Sequence, residues 1–511
     1  MWVNKNHQGY SSMKRKLQYI VYYVSDSLSR FFNLLFRRKA YRNVAIGVND
    51  DISESEKAVL LSQLKEYHRS RPVGPGLPVC RAPMASIYFG FNGDMVPCCF
   101  NRSYVYGSYP DTNPVDAISG DKRKQLLEKL NGHDFSCGCQ HCRNQILAGN
   151  FEGVEARLYD RMKKTMQGPV EMIFELDNTC NLQCVMCHAG FSSSIARAQG
   201  LPQHISPYDD SFIEKIKPLL KNLKVAKFLG GEPFLIQSYY RIWDELMQVN
   251  PECFINLQTN GTIYNDKIDT LLKKGRFQIG ISVDSLKKER FESIRKNANF
   301  ETVMQNLEKF IKYTRKNGSF VNVSVCPMQQ NWDEIPDLVE FCNSKGIYIY
   351  LNTVYTEHFD LRELSAQQLF DVYNQYNNHT FSAGTYIAKR NVRFFRSFQQ
   401  QVWSWYQKKQ LDEEKYTVWM ERNQRRHPNT PDGLFSMIQE KLQLHPPTVA
   451  LIEKAILSLP ERFFLSDYQL DLVRALSETE IVDAVENLSA EEVGQMLMNF
   501  IEMGRFRPDE S

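Results

Sequence analysis

The chain has 511 residues, 42% hydrophobic and 24% charged, a globular composition that is too long for one ordinary core. Lysine plus arginine exceed aspartate plus glutamate by only 62 − 59 = 3, so charge singles out neither a nucleic-acid nor a membrane partner. Twelve cysteines are too few for a disulfide scaffold, and their clustering suits metal ligation in a reducing compartment.

The start, MWVNKNHQGYSSMKRK, is polar, and no small-residue cleavage site follows it, so no secretory leader is expected. The stretch from Leu17 to Phe36 is interrupted by Asp26 and Arg30, and its apolar runs fall short of the roughly 20 residues of a membrane span. With its basic flanks, residues 14–39, it reads either as an amphipathic helix on an anionic membrane surface or as a helix docked on protein. Docking on protein is the ordinary reading, and a cytoplasmic protein is expected.

Residues 1–73 read as a helical N-terminal region, closed by the Pro- and Gly-rich RPVGPGLP. Residues 74–150 form a compact block holding Cys80, Cys98, Cys99, Cys137, Cys139 and Cys142. From Cys80 through Gly93 to Cys98 the spacing is CX12GX4C, with Gly93 placed to turn a β-hairpin.

Over 166–357, short runs rich in β-branched and aromatic residues alternate with helical periodicity. VEMIFELD, VAKFLGGE, CFINLQTNGT, FQIGISVDS, FVNVSVCPM and IYIYLNTVY are the candidate strands, and segments such as YNDKIDTLLKK are the helices between them. Six βα units imply an α/β fold with a parallel sheet, a partial (β/α)6 barrel open on one side, with its site at the C-terminal strand ends. Residues 358–511 read as a helical C-terminal region; within them Arg390 to Lys409 is aromatic and basic.

Directly after the first of these strands, FELDNTCNLQCVMCHAG places Cys180, Cys184 and Cys187 on one loop. Thiolates suit zinc and iron–sulfur clusters alike. A structural zinc is normally closed by four ligands, and only His188 offers a fourth nearby.

CxxxCxxC after the first strand of a six-unit βα domain resembles the radical S-adenosylmethionine (SAM) superfamily. The resemblance implies that these cysteines hold a 4Fe-4S cluster whose open iron binds SAM. Reductive cleavage then gives a 5′-deoxyadenosyl radical that abstracts hydrogen from a substrate. Met186 stands where the family usually has an aromatic residue. Around the cofactor the resemblance places the GGEP motif, Gly230, Gly231, Glu232 and Pro233, at the methionyl amino group. It adds Thr259 and Asn260 at the third strand end, Ser282 and Asp284 near the ribose, and Arg295 at the cofactor carboxylate.

The cysteine-rich block is similar to SPASM and twitch modules, small α+β units that carry auxiliary 4Fe-4S clusters, but it precedes the radical domain instead of following it. The resemblance implies one auxiliary cluster on Cys80, Cys98, Cys139 and Cys142, with Cys99 and Cys137 as competitors; a zinc ribbon is the alternative. The expected activity is that of a radical SAM oxidoreductase or maturase acting on a peptide, protein or small molecule, fed by an external donor such as flavodoxin or ferredoxin. A non-enzymatic iron–sulfur or zinc scaffold and an RNA-modifying enzyme are the other readings; near-zero net charge gives no reason to expect a nucleic-acid partner.

Overall fold

A computed structural model describes residues 52–71, 78–160, 162, 168–356, 358–423, 431–442, 446–459, 469, 473, 476–486 and 488–505. The stretch 14–39, and with it the expected membrane contact, lies outside the described residues. No helix among the described residues is long and apolar enough to cross a membrane.

Among the described residues the strands are β1 (Ser86–Phe89), β2 (Asp94–Val96), β3 (Gly107–Ser108), β4 (Glu171–Phe174), β5 (Gln183–Cys184), β6 (Val225–Phe228), β7 (Phe254–Thr259), β8 (Phe277–Ser282), β9 (Arg295–Lys296), β10 (Val321–Val325) and β11 (Tyr348–Leu351). Nine of them form one sheet in the order β11-β10-β8-β7-β6-β4-β1-β2-β3. The six strands read from the sequence, β4, β6, β7, β8, β10 and β11, are parallel neighbours in chain order, as βα units require.

One face of this sheet is covered by helices. Phe174 and Phe228 stack with ring centroids 4.8 Å apart, and Phe228 meets Trp243 of the helix Gln237–Val249 at 5.4 Å. The alternation of side chains along each strand sends the other set inward. Ile173, Lys227, Asn256 and Gln278 are in register on that inner face. The inner face is polar: Gln258 Nε2 donates to Ser282 Oγ at 2.9 Å, and Ser324 Oγ donates to Gln258 Oε1 at 3.0 Å.

The cysteine-rich block, expected as a module over 74–150, shares the barrel sheet. Its hairpin turns at Gly93, φ +97°, where a Cβ would stand 2.3 Å from Tyr109 O. β1 then pairs in parallel with β4, Ser86 opposite Glu171, so the block continues the barrel sheet. Phe395, Phe398 and Val402 are buried in the barrel core, which holds the chain in the first compact unit to Tyr406. The aromatic residues of Arg390 to Lys409 are thus partly spent on packing, which weakens that segment as a base-stacking surface.

The second unit, Gln407–Ser511, has a core of its own. Leu434, Ile452, Ile481, Val485 and Ile501 supply it from the helices Pro431–Gln439, Pro446–Ile456, Glu478–Val485 and Ala490–Arg505.

Candidate functional site

The thiol triad sits on the loop that leaves the C-terminal end of β4. Short polar side chains shape this loop. Cys180 N donates to Ser193 Oγ at 3.1 Å, Ser192 Oγ donates to Leu182 O at 2.7 Å, and the buried Asn178 amide donates to Ala189 O and Gly190 O. β5, which contains Cys184, pairs antiparallel with β9, setting Cys184 opposite Arg295. Val185 N donates to Ile294 O at 2.9 Å, and Thr356 Oγ1 donates to Met186 O at 2.9 Å.

The three thiols sense one another. Burial raises all three, and Cys180 and Cys184 add to the rise at Cys187, which reaches about 12. Burial is the largest cause at each thiol, and the neighbouring sulfurs add to it at Cys180 and Cys187. His188 does not complete the set. It is exposed, and its Nδ1 accepts from Gly190 N at 3.2 Å.

The GGEP turn follows β6. Gly230 has φ +84°, and a Cβ on it would lie 2.6 Å from Asp177 O; on Gly231 a Cβ would lie 2.0 Å from Thr179 O. Glu232 N donates to Thr179 O at 2.7 Å. The two glycines therefore let the end of β6 lie against the backbone leading to Cys180. The Glu232 carboxylate is fully buried and accepts from Thr259 Oγ1 (2.8 Å), Asn260 N (2.7 Å) and Phe234 N (3.1 Å). Burial, against these hydrogen bonds, pushes its pKa up to about 7. Pro233 is buried and opens the one-turn helix Pro233–Leu235.

The other polar residues expected at the cofactor are engaged in the same way. Asn260 Nδ2 donates to Asn181 Oδ1 at 2.8 Å, tying the end of β7 to the residue after Cys180. Arg295 Nη1 donates toward Cys184 Sγ at 3.6 Å. Its Nε stands 2.7 Å from Asp284 Oδ2 as an ion pair without hydrogen-bond alignment, and Asp284 Oδ1 accepts from Cys326 N at 2.7 Å. Arg295 and Asp284 thus hold each other and the loop that carries Cys184. Ser282 belongs to the polar ladder of the inner face. Met186 packs with Val185, Cys326 and Phe359 against buried Ile294, Met328 and Val354. Cys253 and Cys342 are buried, whereas Cys326 is partly exposed and close enough to Cys184 and Cys187 to be perturbed by them.

Sequence reasoning missed Asn178, Asn181, Ser192, Ser193 and Thr356. Each is a short polar residue in a loop, and such residues mark turns everywhere; only their partners distinguish them.

A second thiol set lies in the block before the barrel. Cys80, Cys98, Cys139 and Cys142 line one mostly apolar cavity, which Cys99 and Cys137 do not line. Burial raises these thiols, Cys98 to about 11 and Cys139 to about 12, with Cys98 adding to the rise at Cys139. Asn101 Nδ2 donates to Cys139 Sγ at 3.2 Å, and Ala82 N donates to Cys80 Sγ at 3.3 Å. Among the described residues, no three His, Cys, Asp or Glu side chains converge on the position of a single metal ion.

Residues 175–342 match the model of the radical SAM superfamily. Among curated proteins, the chain is 27% identical over 177 residues to the probable GTP 3′,8-cyclase of Methanocaldococcus jannaschii, covering 34% of this chain and 56% of that protein. It is 27% identical over 171 residues to the GTP 3′,8-cyclase of Clostridium botulinum, covering 33% and 51%. The chain thus spans about half the length of these curated relatives. Streptococcus suis SuiB bound to S-adenosylmethionine superposes with a TM-score of 0.31 at 14% identity, over 43% of this chain and 45% of that one. The matched segment begins directly after β4 and contains the thiol triad, the glycine turn and Arg295: residues 175–342 form a radical SAM domain.

Proposed function

We propose that the chain is a radical SAM enzyme acting on a polar peptide or small-molecule substrate held inside the partial barrel. The observation that carries this reading is the meeting of three thiols with the Gly230–Gly231 turn at the C-terminal strand ends. The residues fit the group: a donor set of Cys180, Cys184 and Cys187 leaves one iron of a 4Fe-4S cluster for an outside ligand. Cys180, Cys184 and Cys187 would hold that cluster, and with SAM bound it would supply one-electron reductive cleavage chemistry.

The chain's own residues do the rest. Asn178, Asn181 and Ser193 fix the loop, and Arg295 places a cation beside Cys184 that favours its thiolate. The inner-face amides and hydroxyls orient a polar substrate and shield its reaction. Cys80, Cys98, Cys139 and Cys142 are the ligands proposed for an auxiliary 4Fe-4S cluster. A cytoplasmic setting with a flavodoxin- or ferredoxin-type donor completes the reading.

An electron carrier or zinc scaffold has no use for a polar barrel interior, so the enzyme reading is favoured. The relatives' names bring GTP forward as a substrate. The arginines near the barrel mouth speak against a triphosphate, because Arg102 is paired with Glu175, Arg295 with Asp284 and Arg362 with Asp360.

Anaerobic reconstitution, followed by dithionite and SAM, tests the proposal. Formation of 5′-deoxyadenosine is expected. Its absence from protein whose clusters are confirmed by spectroscopy would sink the enzyme reading.

A further inference from the structure

Tyr355 follows β11 and stands between two residues that hold the triad loop. On one side, Val354 is buried in the apolar cluster that includes Val185 and Met186. On the other, Thr356 Oγ1 donates to Met186 O at 2.9 Å, one residue before Cys187. Tyr355 itself reaches to the cysteine-rich block, where its hydroxyl and His141 Nδ1 share a hydrogen bond of 2.9 Å. The ring is 57% exposed, so burial contributes little to holding it there. The Arg362 guanidinium, paired with Asp360, lies 4.7 Å from the Tyr355 ring centre.

His141 is placed by the second thiol set. It sits between Cys139 and Cys142 in the first turn of the helix Gln140–Leu147, for which Cys139 is the N-cap. Its ring stacks on Phe100, with centroids 3.8 Å apart and planes 7° from parallel. Phe100 comes two residues after Cys98, so the two rings are carried by the two separate segments that bring these thiols to the cavity. Both rings line that cavity with the thiols.

The route from Cys142 to Cys187 is therefore covalent except at the hydrogen bonds His141–Tyr355 and Thr356–Met186. Each bond joins distant parts of the chain, with |i−j| of 214 and 170, so neither follows from local folding. A metal group on Cys80, Cys98, Cys139 and Cys142 draws those thiolates onto one centre and fixes the turn that carries His141. A fixed His141 holds Tyr355, and a held Tyr355 keeps Thr356 on the triad loop. A ligand that needs an ordered loop binds more tightly when the ordering is already done. The effect is reciprocal, so each site strengthens the other.

We propose that Tyr355 is a positioning residue that couples the two thiol sites, so that metal in the second site tightens SAM binding at the triad. This rests on the reading of the chain as a radical SAM enzyme.

The test is anaerobic equilibrium dialysis of SAM, without reductant, against the full chain with both sites loaded and with the second site removed. Cys80→Ala with Cys98→Ala removes it without touching the turn that carries His141; Cys139→Ala with Cys142→Ala is the alternative should the first pair fail to fold. Iron analysis and circular dichroism establish that the triad cluster and the fold are retained. Loss of the second site should weaken SAM binding roughly fivefold or more. Tyr355→Phe, which keeps the ring and loses the hydroxyl, should weaken it by a similar factor at unchanged iron content. In the Tyr355→Phe background, removing the second site should cost no more than about twofold further. If neither cysteine pair folds, Tyr355→Phe alone decides. Equal SAM affinity with and without the second site, the same loss in both backgrounds, full affinity in Tyr355→Phe, or a second thiol set that takes up no metal would overturn the proposal. Formation of 5′-deoxyadenosine by the loaded wild-type chain separates the two readings. If it forms and SAM affinity ignores the second site, only this inference fails; if it does not form, the parent reading fails.

Discussion

Arg295 stands opposite Cys184 in the ladder of β5 and β9, and its Nη1 comes within 3.6 Å of the Cys184 sulfur. Asp284 holds this guanidinium from the other side, with side chains 9% and 0% exposed for Arg295 and Asp284. The end of β8 thereby fixes a charge beside a thiol on a loop about a hundred residues earlier in the chain (|i−j| = 111 for Arg295 and Cys184).

Asp284→Asn should leave the buried Arg295 without its counter-charge. Removing one partner of a buried pair costs about 3–5 kcal/mol. Urea unfolding of the metal-free protein should show a loss of this order. Wild-type stability in the variant would mean that the pair contributes little.

Replacing Cys180, Cys184 and Cys187 together by alanine should abolish 5′-deoxyadenosine formation and lower bound iron by one cluster's worth. Absorbance from the second thiol set should persist. Iron and sulfide analysis after anaerobic reconstitution checks both halves, and unchanged iron would show the ligand assignment to be wrong.

Gly231→Ala should displace the loop that carries the triad, because the new methyl meets Thr179 O at 2.0 Å. Overpacking of this kind costs about 1–3 kcal/mol, more where backbone is the obstacle. A lower melting temperature and weaker SAM binding are expected together. Retention of both would mean that the turn can relax.

In the block before the barrel, alanine at Cys80, Cys98, Cys139 or Cys142 should each reduce iron retention, whereas alanine at Cys99 or Cys137 should not. Only the first four line the shared cavity. Iron loss in a Cys99 variant equal to that in a Cys98 variant would redraw the ligand set.

Stability of the metal-free chain should fall with rising pH near neutrality. Glu171 and Glu232 are each raised by burial to about 7, above the ordinary 4.5. The folded chain therefore keeps protons that the unfolded chain has lost. Their contribution is fully present below the unfolded pKa and disappears as pH rises through about 7. Melting temperatures measured from about pH 5 to pH 8 should decline, and the decline should be shallower in Glu171→Gln.

The six barrel strands were legible because each is short, apolar and bounded by turn residues, and the triad was legible because its ligands share one loop. The role of Glu232 was not. Its partners Thr259 and Asn260 lie 27 and 28 residues away, and nothing local in GGEP says that its carboxylate turns inward to them. Asp284 and Arg295 were read as cofactor contacts on motif position, and their ion pair with each other had no local signal in the sequence. The ladder between β1 and β4 was equally hidden, because Ser86 and Glu171 meet across 85 residues.

That ladder makes the radical domain dependent on what is synthesised before it. Val170 N donates to Ala85 O and Glu175 N to Phe89 O, so the cysteine-rich segment satisfies the outer edge of β4. A chain beginning at residue 166 would bare that edge beside an apolar strand, a template for aggregation. During synthesis the earlier segment is already present when β4 emerges, ready to act as the edge on which the barrel is laid down.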